Sequence, residues 1–197
     1  MATIIDILYD QHRRMFTLLN LLGREVDTFA EGGAFDPYVV EGALDYVAEY
    51  PDRLHRPIEL RVYEAYRRHQ GGDDPLATAA AAAEHEGLST QARELKNAIV
   101  AIGRNAQLPR DLVAANARRL IEGLSRHMAH EEDTILPVAR AALSDDELAA
   151  IRKAIEQDPN APSLEAEEKA FTNIYNTVVA QDKLGLVVRS SRDRETT

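Results

Sequence analysis

Residues 4–30 read IIDILYDQHRRMFTLLNLLGREVDTFA, and this stretch decides the fold class. Ile5, Leu8, His12, Met15, Leu19, Leu22, Val26 and Phe29 step by three and four, the period that lines one face of an α-helix. Gly32-Gly33 ends the run, and one member of its apolar stripe is a histidine. Three more segments repeat the pattern. The second opens after Asp36-Pro37 and reaches about His69, before Gly71-Gly72, with Pro51 and Pro57 inside it as expected kinks or unwound turns. The third opens on the cap Asp74 with Pro75 in its first turn and carries Ala81, His85, Leu88, Ala92, Leu95, Ile99 and Ile102. The fourth begins near Pro109 and carries Val113, Leu120, Leu124, His127, Glu131 and Val138. Alternating runs of Val, Ile and aromatics, the mark of strands, are missing. The expectation is an all-α protein, an up-down-up-down four-helix bundle with short additional C-terminal helices.

Those extra helices have their own start signals. Ser144-Asp145-Asp146-Glu147 reads as a capping box opening a helix to about Gln157, and Ser163 as the cap of another reaching about Gln181. The end of the chain is charged and lacks apolar periodicity, so it is expected to be mobile. The organisation is then a bundle over residues 1–143, a helical extension over 144–182 and a tail over 183–197.

Charge and composition narrow the chemistry. With 23 Lys and Arg against 33 Asp and Glu the net charge is −10, which argues against nucleic acid or an anionic membrane surface as partner and makes cations the natural small ligand. The 197 residues contain no cysteine, which removes disulfides, thiolate nucleophiles, iron–sulfur clusters and Cys-based zinc sites. Any metal must be held by nitrogen and oxygen. The N-terminal residues lack a basic region followed by an apolar run, and no apolar stretch approaches the ~18 residues of a membrane span, so the default compartment is the cytoplasm.

Histidine spacing points at a site. His12 and His55 are 43 residues apart and His85 and His127 are 42 apart. Each pair is a histidine on one helix followed by His-x-x-x-Glu on the next, at His55/Glu59 and His127/Glu131, which is an internal repeat. A four-residue step keeps each glutamate within ~40° of its histidine's face, one turn on. In antiparallel helices the members of each pair reach similar heights, so one metal or two adjacent metals can be ligated from all four helices. A single histidine on an apolar face is most simply a hydrogen-bonded core residue. Four imidazoles and two carboxylates buried at one level are different, because each unpaired charge costs several kcal/mol and a cation offsets that cost. His69 reads as a surface residue complementing a helix end, and His130 as either solvated or near the edge of the site. Tyr46, Tyr50, Tyr63 and Tyr66 read first as packing residues, with hydrogen bonding near a metal ligand as the sharper alternative.

These residues carry a family resemblance. Tyr9-Asp-Gln-His12-Arg13, Tyr50-Pro-Asp-Arg-Leu-His55-Arg-Pro57-Ile-Glu59, Glu84-His85-Glu86 and His127-Met-Ala-His-Glu131-Glu132-Asp-Thr-Ile-Leu-Pro137 together resemble the hemerythrin-like, HHE cation-binding family. The resemblance implies two iron ions bridged by carboxylates, with room for dioxygen or another small ligand. It implies as ligands His12, His55, Glu59, His85, His127 and one of Glu131 or Glu132. The four-residue step favours Glu131, whereas oxygen-carrying hemerythrins use an acid at the five-residue step, which points about 140° away unless the helix is distorted there. Departures from the family pattern are Arg56, Ile58 and Leu60 around the second motif, Gln11 in place of a frequent Asp, and Ser89 where oxygen carriers place a further histidine. The ligand set is leaner than an oxygen carrier's, and zinc or manganese also suit such donors.

The function expected from this reading is binding or sensing of dioxygen, nitric oxide, redox state or iron itself by a non-enzymatic diiron protein. A diiron oxidase or peroxidase of the ferritin-like type is the competing class, but its Glu-x-x-His signature does not occur in this sequence. A metal-stabilised helical adaptor without gas chemistry is the third. Sequence leaves the oligomeric state open.

Overall fold

The first helix, α1 (Ile4–Ala30), opens on a capping box in a computed structural model that describes residues 2–70, 79–104, 106–158 and 163–195, the side chains of 70, 79–82 and 186–195 excepted. Thr3 Oγ1 accepts from the Asp6 amide and the Asp6 carboxylate accepts from the Thr3 amide, which satisfies donors the helix cannot. Gly32, at φ 94°, takes the left-handed turn that ends the helix, and the Gly33 amide returns to the Thr28 carbonyl at 3.0 Å. The stripe read from the sequence faces inward, with Ile5, Leu8, His12, Met15, Leu19, Leu22, Val26 and Phe29 all buried.

The second and fourth segments each break into two α-helices joined by one π turn. The second consists of α2 (Pro37–Tyr50), a π turn Pro51–His55 and α3 (Arg56–Gln70). The fourth consists of α5 (Arg110–His130), a π turn Glu131–Ile135 and α6 (Leu136–Ala142). Their construction is the same. The Arg56 amide donates to the Pro51 carbonyl and the Leu136 amide to the Glu131 carbonyl, five residues back, and a proline follows at 57 and at 137. Proline lacks the amide hydrogen and its ring crowds the carbonyl four residues back, so the turn before it widens instead of breaking the helix. The expected irregularity at Pro51 and Pro57 is this turn.

Between them lies α4 (Ala79–Gly103), whose Leu88, Ala92, Leu95 and Ile99 are buried. The cap expected at Asp74-Pro75 and the stop expected at Gly71-Gly72 lie outside the described residues. The four segments close a ring in which α1 packs on α2 and α5, and α4 on α2 and α5. Neighbours run in opposite directions: Lys96 pairs with Asp45 while Ser89 meets Asp52, and Arg118 pairs with Asp27 while Arg140 meets Asp6. Among the described residues there is no strand, and no helix is long and apolar enough to cross a membrane.

Two further helices follow. The expected box at Ser144 and Glu147 opens α7 (Asp145–Glu156), which packs against α1 and α3. The last, α8 (Leu164–Glu195), runs on past the end expected near Gln181, because a nucleated helix gains a hydrogen bond for each residue added and needs no apolar stripe to continue. It lies on α2 and touches α1. Gly42 permits the close approach, since a Cβ there would stand 2.5 Å from Val178 Cγ2. Phe171 of α8 packs edge-on against the rings of Tyr46 and Tyr50, which stack on each other at 4.5 Å.

Candidate metal centre

Six polar side chains converge in the middle of the ring. His12 comes from α1, His55 from the first π turn, Glu59 from α3, His85 from α4, His127 from α5, and Glu131 from the start of the second π turn. His12, His55, Glu59 and Glu131 are at most 3% exposed. The histidines face one another in the pairs of the repeat, His12 Nε2 to His55 Nε2 at 3.2 Å and His85 Nε2 to His127 Nε2 at 2.8 Å.

The glutamates do not stay with their own pairs. Glu131 directs Oε1 to His127 Nε2 at 3.0 Å and Oε2 to His12 Nε2 at 3.0 Å, with His55 Nε2 at 3.7 Å from Oε2. Glu59 Oε2 lies 3.4 Å from His85 Nε2 and 3.9 Å from His55 Nε2. Two donor groups with metal-binding geometry result, His12/His55/Glu131 and Glu59/His85/His127/Glu131, and they share Glu131.

Outside this cluster, partners on the other ring nitrogens orient the imidazoles. Gln11 Oε1 accepts from His55 Nδ1 at 2.8 Å, Glu132 Oε1 lies 3.0 Å from His12 Nδ1, and Glu84 lies 3.6 Å from His127 Nδ1. An Nδ1 that donates outward leaves the Nε2 lone pair pointing in, the form a cation needs. Tyr63 adds a hydrogen bond from its hydroxyl to Glu131 Oε1 at 3.2 Å.

For His55 and His85 electrostatics support the same form, whereas the carboxylates beside His127 outweigh its burial and raise it. Burial pulls His55 and His85 down to about 4, so both are neutral near pH 7. Burial also opposes ionisation of Glu131, but the imidazoles of His12, His127 and His55 crowded around its oxygens outweigh it and hold the carboxyl well below its ordinary range. Glu59 is raised well above that range by burial and by the Glu131 charge. Oε2 of Glu59 and Oε2 of Glu131 are buried without a hydrogen-bond donor. A buried carboxylate oxygen lacking a donor carries a desolvation penalty of about 1–3 kcal/mol or more, which a cation at that point relieves. The donor set, all nitrogen and oxygen, therefore fits a metal ion.

Beside the centre is a cavity of about 20 Å³ lined by Met15, His55, His85, Leu88, Leu124 and His127 among others. Arg56 and Ser89 also line it, and Arg56 is held by Asp52 at 2.9 Å and by Ser89 at 3.2 Å. Leu19 is buried but does not line the cavity.

The structure thus brings together six of the seven residues picked out in the sequence. The seventh, Glu132, stands outside the cluster on His12 Nδ1, with its side chain 32% exposed. His69 is exposed and pairs with Glu147 at 2.6 Å, and His130 is exposed with Thr134 beside its ring. Tyr63 takes the hydrogen-bonding role, whereas Tyr46 packs. Gln11, visible in the sequence only as a departure from the family's usual acid, orients His55. Glu84 and Arg56 carry no sequence signal of their roles.

A helical bundle whose core holds a His/Glu donor cluster fits the binding of a cation. The chain belongs to the hemerythrin family: the model of the hemerythrin HHE cation binding domain matches residues 3–139. No curated protein and no solved structure matches significantly.

Proposed function

We propose that this protein is a dinuclear non-haem iron protein that binds a small diatomic ligand, dioxygen or nitric oxide, and turns over no organic substrate. The observation that carries the reading is Glu131, whose two oxygens face different histidines and which belongs to both donor groups. One carboxylate serving two sites is the arrangement by which a single buried acid bridges two ions. His12 and His55 would hold one iron, His85, His127 and Glu59 the other, and Glu131 would serve both. Six protein donors leave two irons short of the five or six ligands each favours, so bound iron supplies an open position. The cavity borders both histidine pairs through His55, His85 and His127, and its apolar lining of Met15, Leu88 and Leu124 is too tight for more than a few atoms.

Anaerobic reconstitution with ferrous iron, metal analysis, and visible spectra before and after dioxygen or nitric oxide test the proposal. Two irons per chain and a gas-dependent spectrum are expected. One iron per chain would overturn the dinuclear assignment. A spectrum unchanged by either gas in iron-loaded protein would overturn the ligand assignment and leave a structural metal in a helical adaptor.

A further inference from the structure

Helix α8 lies beyond the residues matched by the family, yet its side chains reach a residue that hydrogen-bonds a histidine of the centre. Glu168 Oε1 accepts from Gln11 Nε2 at 2.9 Å and from the Tyr50 hydroxyl at 3.2 Å, and Oε2 accepts from Arg14 at 3.3 Å. Gln11 is 1% exposed, and its other end accepts from His55 Nδ1. Glu168, Gln11 and His55 therefore form one chain of hydrogen bonds from α8 to an inward-facing Nε2.

The amide of Gln11 makes this chain directional. One end of the amide donates and the other accepts, so a side chain free to flip can present either to His55. A carboxylate can only accept. By taking the NH2 end, Glu168 fixes the carbonyl towards His55, which requires hydrogen on Nδ1 and leaves the lone pair on Nε2. With the amide reversed, His55 would accept at Nδ1 and carry its hydrogen on Nε2, facing His12 and Glu131, where it cannot ligate.

A second set of contacts holds the backbone that presents His55. Tyr50 is the last residue before the π turn Pro51–His55, and besides meeting Glu168 it packs against Phe171 at 4.7 Å. Arg53, inside the turn, pairs with Glu167 at 2.6 Å. Three residues of α8 thus clamp the turn and its ligand.

We propose that α8 is a working part of the metal centre, with Glu168 a positioning residue that sets the tautomer and place of His55, so that metal loading and docking of α8 strengthen each other. The proposal rests on the metal-binding reading above. Coupling of this kind is reciprocal: whatever α8 adds to metal affinity, metal adds to the docking of α8. It makes α8 the element through which occupancy of the buried centre is felt at the surface.

The test uses the full chain with cobalt(II) alone as probe, its affinity read by competition with a chelator and its site by visible absorption. Glu168→Ala is expected to weaken cobalt retention by about 10- to 100-fold, the usual effect of losing an outer partner of a ligating histidine, and to shift the visible bands. Glu168→Gln keeps a partner for Gln11 but can present either end of its amide, so it should recover part of both and fall between Glu168→Ala and the unaltered protein. Arg118→Ala removes the Asp27 pair between α5 and α1, away from both α8 and the centre, and serves as the control. A Glu168→Ala protein that behaves like the control overturns the proposal. Hydrogen exchange on the unaltered protein tests the reciprocal half: amides of residues 164–178 should slow on cobalt loading more than those of α7, and equal exchange with and without cobalt overturns it. If the unaltered protein takes up no cobalt, the metal reading fails as well; if it binds normally, failure belongs to the α8 proposal alone.

Discussion

Glu131 Oε2 lies 3.0 Å from His12 Nε2, so a carboxylate from the second half of the internal repeat enters the histidine pair of the first. Glu59 makes the reciprocal crossing to His85. The two halves are therefore interlocked at the centre rather than placed side by side, and the loss of one glutamate is felt in both.

Substituting the two neighbouring acids should separate their roles. Glu131→Ala removes an oxygen from each donor group and is expected to abolish stable binding of the second metal and weaken the first. Glu132→Ala removes only the outer partner of His12, so stoichiometry should hold while retention falls by about 10- to 100-fold. Metal content after identical reconstitution and desalting decides it, and the opposite order would make Glu132 the ligand.

Metal removal should expose a specific pH dependence of stability. In the metal-free protein His55 and His85 sit at about 4 against an ordinary 6.5, because burial disfavours their charged forms. Between those values the unfolded chain binds two protons that the folded chain refuses, so acidification destabilises. Glu59, raised by burial and by Glu131, works in the other direction above 4.5, since the folded chain keeps one proton that the unfolded chain releases. Two histidines outweigh one carboxyl, and the melting temperature of chelated protein should fall as pH drops from about 6.5 towards 4.5. Metal added at pH 7 should raise it, since a ligand at a thousandfold excess over Kd contributes about 4 kcal/mol. A chelated melting curve indifferent to pH in this window would contradict the buried neutral histidines.

The cavity can be narrowed without touching a ligand. A Cβ at Gly123 would stand 2.8 Å from Leu88 Cδ2, and Leu88 lines the cavity, so Gly123→Ala should press that side chain inward. The expected cost is about 1–3 kcal/mol of stability, as for other overpacked cores, with slower nitric oxide association to reduced iron protein. Leu88→Ala should speed association while destabilising by about 2–5 kcal/mol. Stopped-flow mixing with both variants checks the paired directions, and equal rates would place ligand entry elsewhere.

Tyr63→Phe removes the hydroxyl that donates to Glu131 at 3.2 Å. A hydrogen bond to a charged group contributes about 1.5–3 kcal/mol, so the metal-free protein should lose stability of that order by denaturant titration. The loss should shrink after metal loading, when a cation also restrains the carboxylate. An equal loss in both forms would mean that Tyr63 acts by packing alone.

The helical period of residues 4–30, the glycine and proline stops, and the paired His-x-x-x-Glu spacing determine by themselves that the chain is helical and that His12, His55, Glu59, His85, His127 and Glu131 lie on inward faces. Such patterns are local, and a face of a helix is fixed by residues three and four apart. What they cannot express is which helix a side chain reaches across to. The crossing of Glu59 and Glu131 between halves depends on the packing of four helices around one centre. Glu132 shows the same limit, for the π turn that begins at Glu131 widens the backbone around it, yet only the position of α1 decides that its carboxylate meets the outer nitrogen of His12. The part played by α8 was invisible for the same reason: Glu168 is an ordinary acid in an ordinary helical stretch, and it acquires a role because Gly42 lets that helix approach α2 closely enough to reach Gln11.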